Sequence, residues 1–175
     1  YEVGRHTLRA AFGALVRRGL LVKEPNRGVF VRVLTADDLV EIYDFRTAIE
    51  AQVFRILAAD GRVPDAAHIA VGRLSMLGPR SPRRKIVEAD LAFHRALVAA
   101  SGNSRLVGAH EQLDAEIVLC LAQLVRGYAR PDELADEHGE LIEAIQSRRA
   151  SVAERAIRGH FERATAWLVA HADPR

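Results

Sequence analysis

The sequence predicts an all-α protein in which a six-helix bundle follows a short N-terminal helix and a β-hairpin. Runs of β-prone residues occur only before residue 34. From Thr35 onward, apolar residues recur at helical spacing, and turn residues separate the helical segments at short intervals. The 175 residues are 49% hydrophobic and 27% charged, which is enough for a sizeable core. We therefore expect a small domain over residues 1–33 and a larger one over residues 34–175.

The small N-terminal domain is predicted to hold one helix and one hairpin. Residues 5–18 place apolar side chains on one face, and Gly19 follows where glycine commonly ends a helix. Two β-prone runs come next, Leu20–Lys23 and Val29–Val33, joined by a turn that contains Pro, Asn and Gly. A helix followed by a hairpin with a basic tip is the second half of a winged helix. The segment is therefore predicted to be a partial winged helix-turn-helix.

The remainder of the chain is predicted to form only helices. Thr35 and Asp38 are spaced as a capping box at the start of the first of them, and Ser151 and Glu154 have the same spacing at the start of the last. Short connections between helices are typical of a bundle. The six predicted helices run from Thr35 to about Ala59, from Asp65 to about Leu77, and over 85–101, 104–127, 131–148 and 151–171.

Charge is distributed unevenly along the chain. Residues 1–33 carry seven Lys and Arg against two Glu, a net charge of +5, and the rest of the chain has a net charge of −3. This distribution indicates that only residues 1–33, the basic head of the chain, bind a polyanion. The longest nearly apolar stretch, Ile117 to Val125, is too short to span a bilayer, and no secretory signal pattern is present. A lone Cys120 fits a reducing compartment. We expect a cytoplasmic protein that does not bind membranes.

Four potential metal ligands lie on helix faces that are otherwise apolar: Asp90, His94, His138 and His160. Asp90 and His94 are four residues apart on one face of one helix, and the other two lie on the inward stripes of their own helices. Burying such groups without partners costs roughly 2–7 kcal/mol for each neutral group and more for a charge. Convergence on one divalent cation would remove that cost. The ligand set suits zinc first, with nickel or manganese as alternatives.

Simpler interpretations of these residues remain open. A single inward histidine is more often a hydrogen-bonded core residue than a metal ligand, and Asp90 with His94 could form an isolated ion pair. The other histidines lie near the ends of elements or on polar faces. They are predicted to be solvated: His6, His68, His110 and His171.

Two groups of motifs, taken together, resemble a known family. Residues 3–15, 18–22 and 25–31 resemble the recognition helix and wing of GntR-type transcriptional regulators. The remainder resembles the FCD ligand-sensing domain of the FadR subfamily. That likeness is carried by the order and spacing of 38–50, 90–94, 100–103, 137–138 and 159–160. The resemblance implies a bacterial homodimer that binds an inverted-repeat operator and senses a small organic acid, often beside a divalent metal.

The resemblance also implies roles for particular residues. The metal ligands of the family fall on the same four residues that the helix periodicity selects. Its helix-borne arginine matches Arg46, which could hold an effector carboxylate through a bidentate contact. The alternative for Arg46 is an ion pair with Glu50, four residues later on the same helix, or with another internal acid.

The chain departs from the family pattern in two places. The winged helix of the family begins with two helices ahead of the recognition helix, and these do not precede Tyr1 in this sequence. The chain is therefore predicted to be N-terminally incomplete. Gly4 stands where the family usually has a serine cap, a replacement that costs only a few tenths of a kcal/mol.

DNA contacts are predicted on the first turns of the N-terminal helix and at the hairpin tip. The N-terminal residues of a recognition helix reach base edges, and arginine is the commonest reader of guanine, at roughly 1–3 kcal/mol for a good bidentate contact. An ordinary basic surface helix is the alternative. The predicted DNA-contacting residues are Arg5, His6, Thr7 and Arg9 on the helix and Arg27 and Gly28 at the hairpin tip.

These observations predict a DNA-binding transcriptional regulator, whose helical domain binds a divalent metal and a small carboxylate effector that modulates operator binding. The main alternative is a metal-dependent hydrolase on a helical bundle, because a three-histidine, one-aspartate site with open positions could activate water. No inward general base is evident near the ligands, and a hydrolase leaves the basic helix and hairpin unexplained. In a third interpretation the metal is purely structural.

Overall fold

A computed structural model of the chain describes residues 4–124 and 130–172. The predicted fold class is confirmed for these residues, since a bundle of helices follows one helix and one hairpin. Residues 125–127, predicted to end the fourth bundle helix, lie outside the described residues. The elements in order are α1 (Arg5–Arg17), β1 (Leu21–Glu24), β2 (Gly28–Val31), α2 (Ala36–Ala58), α3 (Asp65–Ser75), α4 (Arg83–Ala100), α5 (Ser104–Leu124), α6 (Pro131–Gln146) and α7 (Ala150–Ala170).

The hairpin is a two-stranded antiparallel sheet in which Leu21 lies opposite Val31. Its turn depends on backbone conformations that few residues adopt, because Asn26 and Gly28 have φ values of 59° and 110°. Helix α1 contacts β1, has no buried residue, and begins after Gly4 without a side-chain cap. The head therefore presents α1 and the hairpin tip to solvent.

Helix α2 is central to the bundle. It packs most extensively against α7 and also contacts α4, α5 and α6, while α3 packs against α4 and α6. The largest apolar side chains in the core include Phe54, Phe93 and Phe161, all essentially inaccessible to water. The inward faces of α4, α6 and α7 thus meet around α2. No helix in the described part of the chain is long and apolar enough to cross a membrane.

The predicted capping box at the start of α2 is confirmed. The Thr35 hydroxyl accepts a hydrogen bond from the Asp38 backbone N–H at 3.1 Å, and the Asp38 carboxylate accepts one from the Thr35 N–H at 2.9 Å. Arg32, just after β2, donates to the other oxygen of Asp38 and to Glu116 on α5, both at 2.6 Å. Arg32 therefore joins the hairpin to two helices of the bundle.

The predicted capping box at the start of α7 is wrong. The helix begins at Ala150 after Arg149, which makes no side-chain cap, so Ser151 already lies within the first turn. Glu154 instead accepts a hydrogen bond at 2.9 Å from Arg55 on α2. Its carboxylate links two helices and does not cap its own.

Candidate metal centre

Three imidazoles from three helices meet in the core. One ring nitrogen each of His94 on α4, His138 on α6 and His160 on α7 lies within 4.8 Å of the others. The side chains are almost fully buried, with exposed fractions of 0%, 0% and 5%. Each residue occupies the inward stripe of its own amphipathic helix, so packing of the three apolar faces brings the imidazoles together.

The hydrogen bonds of these three imidazoles fix their tautomers. The Nδ1 of His94 lies 2.5 Å from Glu50 Oε2, that of His138 lies 2.6 Å from the Leu134 carbonyl, and that of His160 lies 3.0 Å from Glu137 Oε2. Ionised carboxylates and carbonyls can only accept, so each Nδ1 carries the proton. Each Nε2 is left with a free lone pair, which is the arrangement that a metal-binding histidine requires.

Asp90 lies beside the three imidazoles, but it is not part of the set whose ligand atoms all lie within 4.8 Å of one another. Its Oδ1 is 3.2 Å from the Nε2 of His138, without the alignment of a hydrogen bond, and its Oδ2 has no hydrogen-bond partner. Asp90 and His94 are one turn apart on α4 and are both fully buried. The four sequence-predicted ligands therefore lie together, with the carboxylate adjacent to the three imidazoles.

Several buried polar atoms around this group have no hydrogen-bond partner in the described residues. On the α4 and α6 side these are Asp90 Oδ2, His94 Nε2 and His138 Nε2. All three are lone-pair acceptors, and leaving such groups buried and unpaired is unfavourable. A divalent cation between them would satisfy all three at once. Nitrogen and carboxylate donors in a buried site match the ligands that zinc prefers.

Two more unpaired atoms lie on α2. They are the Tyr43 hydroxyl and the Nη2 of Arg46, both fully buried. The Arg46 guanidinium lies 4.4 Å above the centre of the Phe161 ring, and its Nε donates to Glu50 Oε1 at 2.8 Å. The ion pair with Glu50 that the sequence offered as an alternative is therefore present, and it still leaves one guanidinium nitrogen, Nη2, without a hydrogen-bond partner.

Glu50 is the functional residue that the sequence reasoning undervalued. It is completely buried on α2 and accepts hydrogen bonds from both Arg46 and His94. From the sequence, Glu50 was considered only as a partner for Arg46, four residues earlier on the same helix. A carboxylate on an otherwise apolar stripe is the same signal that identified Asp90, and it could have identified this residue too.

The prediction that His110 is solvated is wrong. This residue of α5 is 2% exposed, and its Nε2 lies 3.3 Å from Glu50 Oε1. The signal was present in the sequence, because His110 precedes Leu113 and Ile117 at helical spacing on the buried face of α5. The other three histidines that were predicted to be solvated are exposed: His6, His68 and His171.

The protonation states of the imidazoles suit metal binding. Burial lowers the pKa of His94 to about 4, although the nearby Glu50 carboxylate acts in the opposite direction. Burial likewise lowers the pKa of His160, and the hydrogen bond from this residue to Glu137 offsets part of the change. Both rings are therefore neutral at pH 7, as ligation requires.

The buried carboxylates are ionised at neutral pH. Burial alone would raise the pKa of Asp90, but the neighbouring His138, His94 and Arg46 outweigh it and lower the pKa. Burial also opposes ionisation of Glu50, and its contacts with His94 and Arg46 nevertheless hold its pKa well below the usual range. Ionised acids beside neutral imidazoles form an electron-rich pocket for a cation.

The six predicted DNA-contacting residues lie apart from this core site and are exposed. Four are in the first turns of α1, and two are at the tip of the hairpin, where Arg27 pairs with Glu24. The residues are Arg5, His6, Thr7, Arg9, Arg27 and Gly28.

Comparison with known proteins places the bundle in a family. The FCD domain family matches residues 41–163, which include all the buried polar residues of the core site. The chain belongs to the FCD domain family. A curated relative, the probable D-xylose utilization operon transcriptional repressor of Paenarthrobacter nicotinovorans, is 30% identical over 155 residues, which cover 87% of this chain and 68% of the relative.

Solved structures share the fold of this FCD protein. A GntR transcriptional regulator from Rhodococcus sp. RHA1 superimposes with a TM-score of 0.82 at 24% identity and covers 98% of this chain and 83% of its own. A zinc-bound FCD domain of another transcriptional regulator gives a TM-score of 0.64 at 19% identity, covering 79% of this chain and 96% of its own. The family and the Paenarthrobacter relative identify the chain as a transcriptional regulator with an FCD domain, which favours the regulator over the metal-dependent hydrolase. Its fold is that of the GntR regulator from Rhodococcus.

Proposed function

We propose that this regulator binds a divalent metal in its FCD bundle and senses a small carboxylate effector there. Zinc is the first candidate for the metal. The ligands would be His94, His138, His160 and Asp90. The observation that carries the proposal is the shared tautomer of the three imidazoles, each held through Nδ1 so that the Nε2 lone pairs are available. The zinc-bound FCD domain among the structural relatives supports zinc, and nickel or manganese would also accept these ligands.

The proposed effector is a small carboxylate that completes the coordination of the metal. One carboxylate and three neutral imidazoles leave a divalent site with a formal charge of about +1, which favours an anion over a neutral ligand. Arg46 adds a second cationic contact, because its Nη2 is buried without a partner. A purely structural metal would not account for that unpaired guanidinium nitrogen.

The proposed output is a change in operator binding by residues 1–33 in a cytoplasmic homodimer. The basic end of α1 and the hairpin tip are free for an inverted-repeat operator, whose half-sites lie about one DNA turn apart, ~34 Å. The proposed ligands lie on α4, α6 and α7 and the proposed effector anchor lies on α2, and these helices pack on one another. Binding of metal and effector would therefore shift the population of bundle arrangements and with it the spacing of the two recognition helices.

Metal content tests the proposed site. His138→Ala should lose bound zinc, with affinity reduced well beyond tenfold, because it removes one ligand of a preformed set. His68→Ala is the matched control, since this histidine is exposed on α3. Zinc is to be measured by elemental analysis after dialysis, together with melting temperature, which bound metal should raise. Equal zinc content in the two variants would contradict the site assignment.

A further inference from the structure

One carboxylate stands between the proposed metal and the proposed effector anchor. Glu50 accepts from His94 Nδ1 through Oε2 at 2.5 Å and from Arg46 Nε through Oε1 at 2.8 Å. The Nε2 of His110 lies a further 3.3 Å from Oε1. All four side chains are at least 98% buried, so these contacts are shielded from water.

The unpaired nitrogens of His94 and Arg46 indicate the role of the Glu50 carboxylate. A structural ion pair would satisfy both of its members, yet His94 ends in an unpaired Nε2 and Arg46 in an unpaired Nη2. In each case the nitrogen bonded to Glu50 and the unpaired nitrogen belong to the same rigid, planar group. Fixing Nδ1 or Nε therefore aims the unpaired atom.

We propose that Glu50 is a positioning residue that couples the metal ligand His94 to the effector anchor Arg46. It keeps His94 in the Nδ1–H tautomer, the only one that leaves Nε2 able to bind a metal, and holds the Arg46 guanidinium with Nη2 unengaged. A change in charge at either partner redistributes the shared carboxylate's hydrogen bonding, so each site influences the other. This inference rests on the proposed function for its consequence, although the positioning of His94 is measurable without metal.

The test compares Glu50→Gln with a matched carboxylate variant. The amide of Gln has one acceptor oxygen where the carboxylate has two, and its NH₂ group favours the opposite tautomer of His94. Glu154→Gln is the control, because Glu154 pairs with Arg55 and Arg158 and contacts no imidazole. Glu50→Asp keeps the charge and should retain part of the Co²⁺ affinity that Glu50→Gln loses. Arg46→Met/Glu50→Gln removes the unpaired guanidinium charge in case the single variant does not fold.

The readouts are specific to positioning. Long-range ¹H–¹⁵N NMR of the metal-free protein should show His94 as Nδ1–H in wild type and the control, and a shift toward Nε2–H in Glu50→Gln and the double variant. Co²⁺ affinity from chelator competition should fall roughly ten- to hundredfold in Glu50→Gln, with altered visible absorption of the bound ion. Zn²⁺ should move the Arg46 Nε–H resonance in wild type but not in Glu50→Gln.

The outcomes separate this inference from the proposed function. An unchanged His94 tautomer and Co²⁺ affinity within twofold of wild type in Glu50→Gln would overturn the inference, leaving Glu50 as a structural ion-pair member. A wild-type protein that binds neither Co²⁺ nor Zn²⁺ would overturn the proposed function and the coupling. The expected tautomer shift would still establish that Glu50 positions His94 in that case.

Discussion

The burial of His94 should make the metal-free protein sensitive to mild acid. Its pKa is lowered from 6.5 to about 4, so between these values the unfolded chain binds a proton that the folded protein does not. The contribution of neutral His94 to the free energy of unfolding is therefore fully present above pH 6.5. It is lost as the pH falls toward 4, a loss on the order of 3 kcal/mol. The lowered pKa values of Asp90 and Glu50 act in the same direction at still lower pH.

Urea unfolding in the presence of a chelator, at pH 7 and pH 5, measures this effect. His94→Gln should flatten the dependence, whereas His68→Gln, at an exposed site, should leave it unchanged. A free energy of unfolding that is equal at the two pH values in the wild-type protein would show that His94 is accessible to protons in the folded state.

Arg46 should matter for effector binding more than for metal binding. Arg46→Lys retains a positive charge for Glu50 but loses the unpaired Nη2, so it removes the proposed contact with an effector carboxylate. We expect metal content close to wild type and carboxylate binding weakened at least about tenfold, the equivalent of about 1.4 kcal/mol. Calorimetric titration of the metal-loaded protein with hydroxy acids and sugar acids is the measurement.

Arg158→Lys is the control for that substitution, because Arg158 pairs with Glu154 at the surface of α7. Unchanged binding by Arg46→Lys would mean that the metal alone holds the effector. Tight binding of a neutral or long-chain compound to metal-free protein would instead point to a structural metal and an apolar pocket.

At the scale of single residues, the sequence predicted the four inward metal candidates and offered the Arg46–Glu50 pair within one helix. It placed His110 in solvent and did not predict which residues of different helices pair. Helical spacing is sufficient to place Asp90, His94, His138 and His160 in the core, because the 3.6-residue period defines a face. Pairing depends on distances between helices that are far apart in sequence. The contact between Glu50 and His94 joins residues 44 positions apart, and no local pattern predicts it.

At the scale of elements, local chemistry predicted one helix start and missed another. Thr35 ends an extended linker, so its side chain is free to cap α2. The turn before α7 is so short that the helix starts at Ala150, one residue ahead of the serine in the predicted box. Matching a capping motif requires knowing where the preceding helix ends, and Arg148, with a φ of 56°, sets that point through a left-handed backbone conformation.

Arg32 should stabilise the junction between the hairpin and the bundle. It donates to Asp38 on α2 and to Glu116 on α5, and the three side chains are about one quarter exposed. Partly solvated pairs contribute at most about 1 kcal/mol each, so Arg32→Ala should lower global stability only slightly. Its main effect should be local, with faster hydrogen exchange of the β1–β2 amides.

Arg27→Ala provides the comparison for that experiment. Arg27 is in the same hairpin but pairs only with Glu24 at the exposed tip, so its loss should leave hairpin exchange near the wild-type rate. Equal exchange in the two variants would mean that the carboxylates of the bundle do not hold the hairpin. If Arg32 also transmits the effector signal, operator binding by Arg32→Ala should no longer respond to the effector.

At the scale of the whole molecule, the net positive charge and the candidate metal ligands lie in different parts of the chain. The head carries the net positive charge, and the metal candidates lie within the FCD bundle. Composition predicted this division, since a net charge of +5 in 33 residues was visible without a structure. The contact between the N-terminal segment and the bundle was not predictable, because Arg32 and Glu116 are 84 positions apart in the sequence.

Base reading by α1 should be separable from backbone binding by the hairpin tip. In a chain that carries a complete winged helix, Arg5→Ala or Arg9→Ala should cost about 1–3 kcal/mol, concentrated at one base position per half-site. Arg27→Ala should weaken binding to all sequences alike and reduce the salt dependence, because a phosphate contact releases counterions without reading a base. Titration against operators with single base changes, at two salt concentrations, distinguishes the two patterns. A uniform loss for all three variants would mean that α1 contacts only phosphate, and sequence recognition would then have to come from other residues.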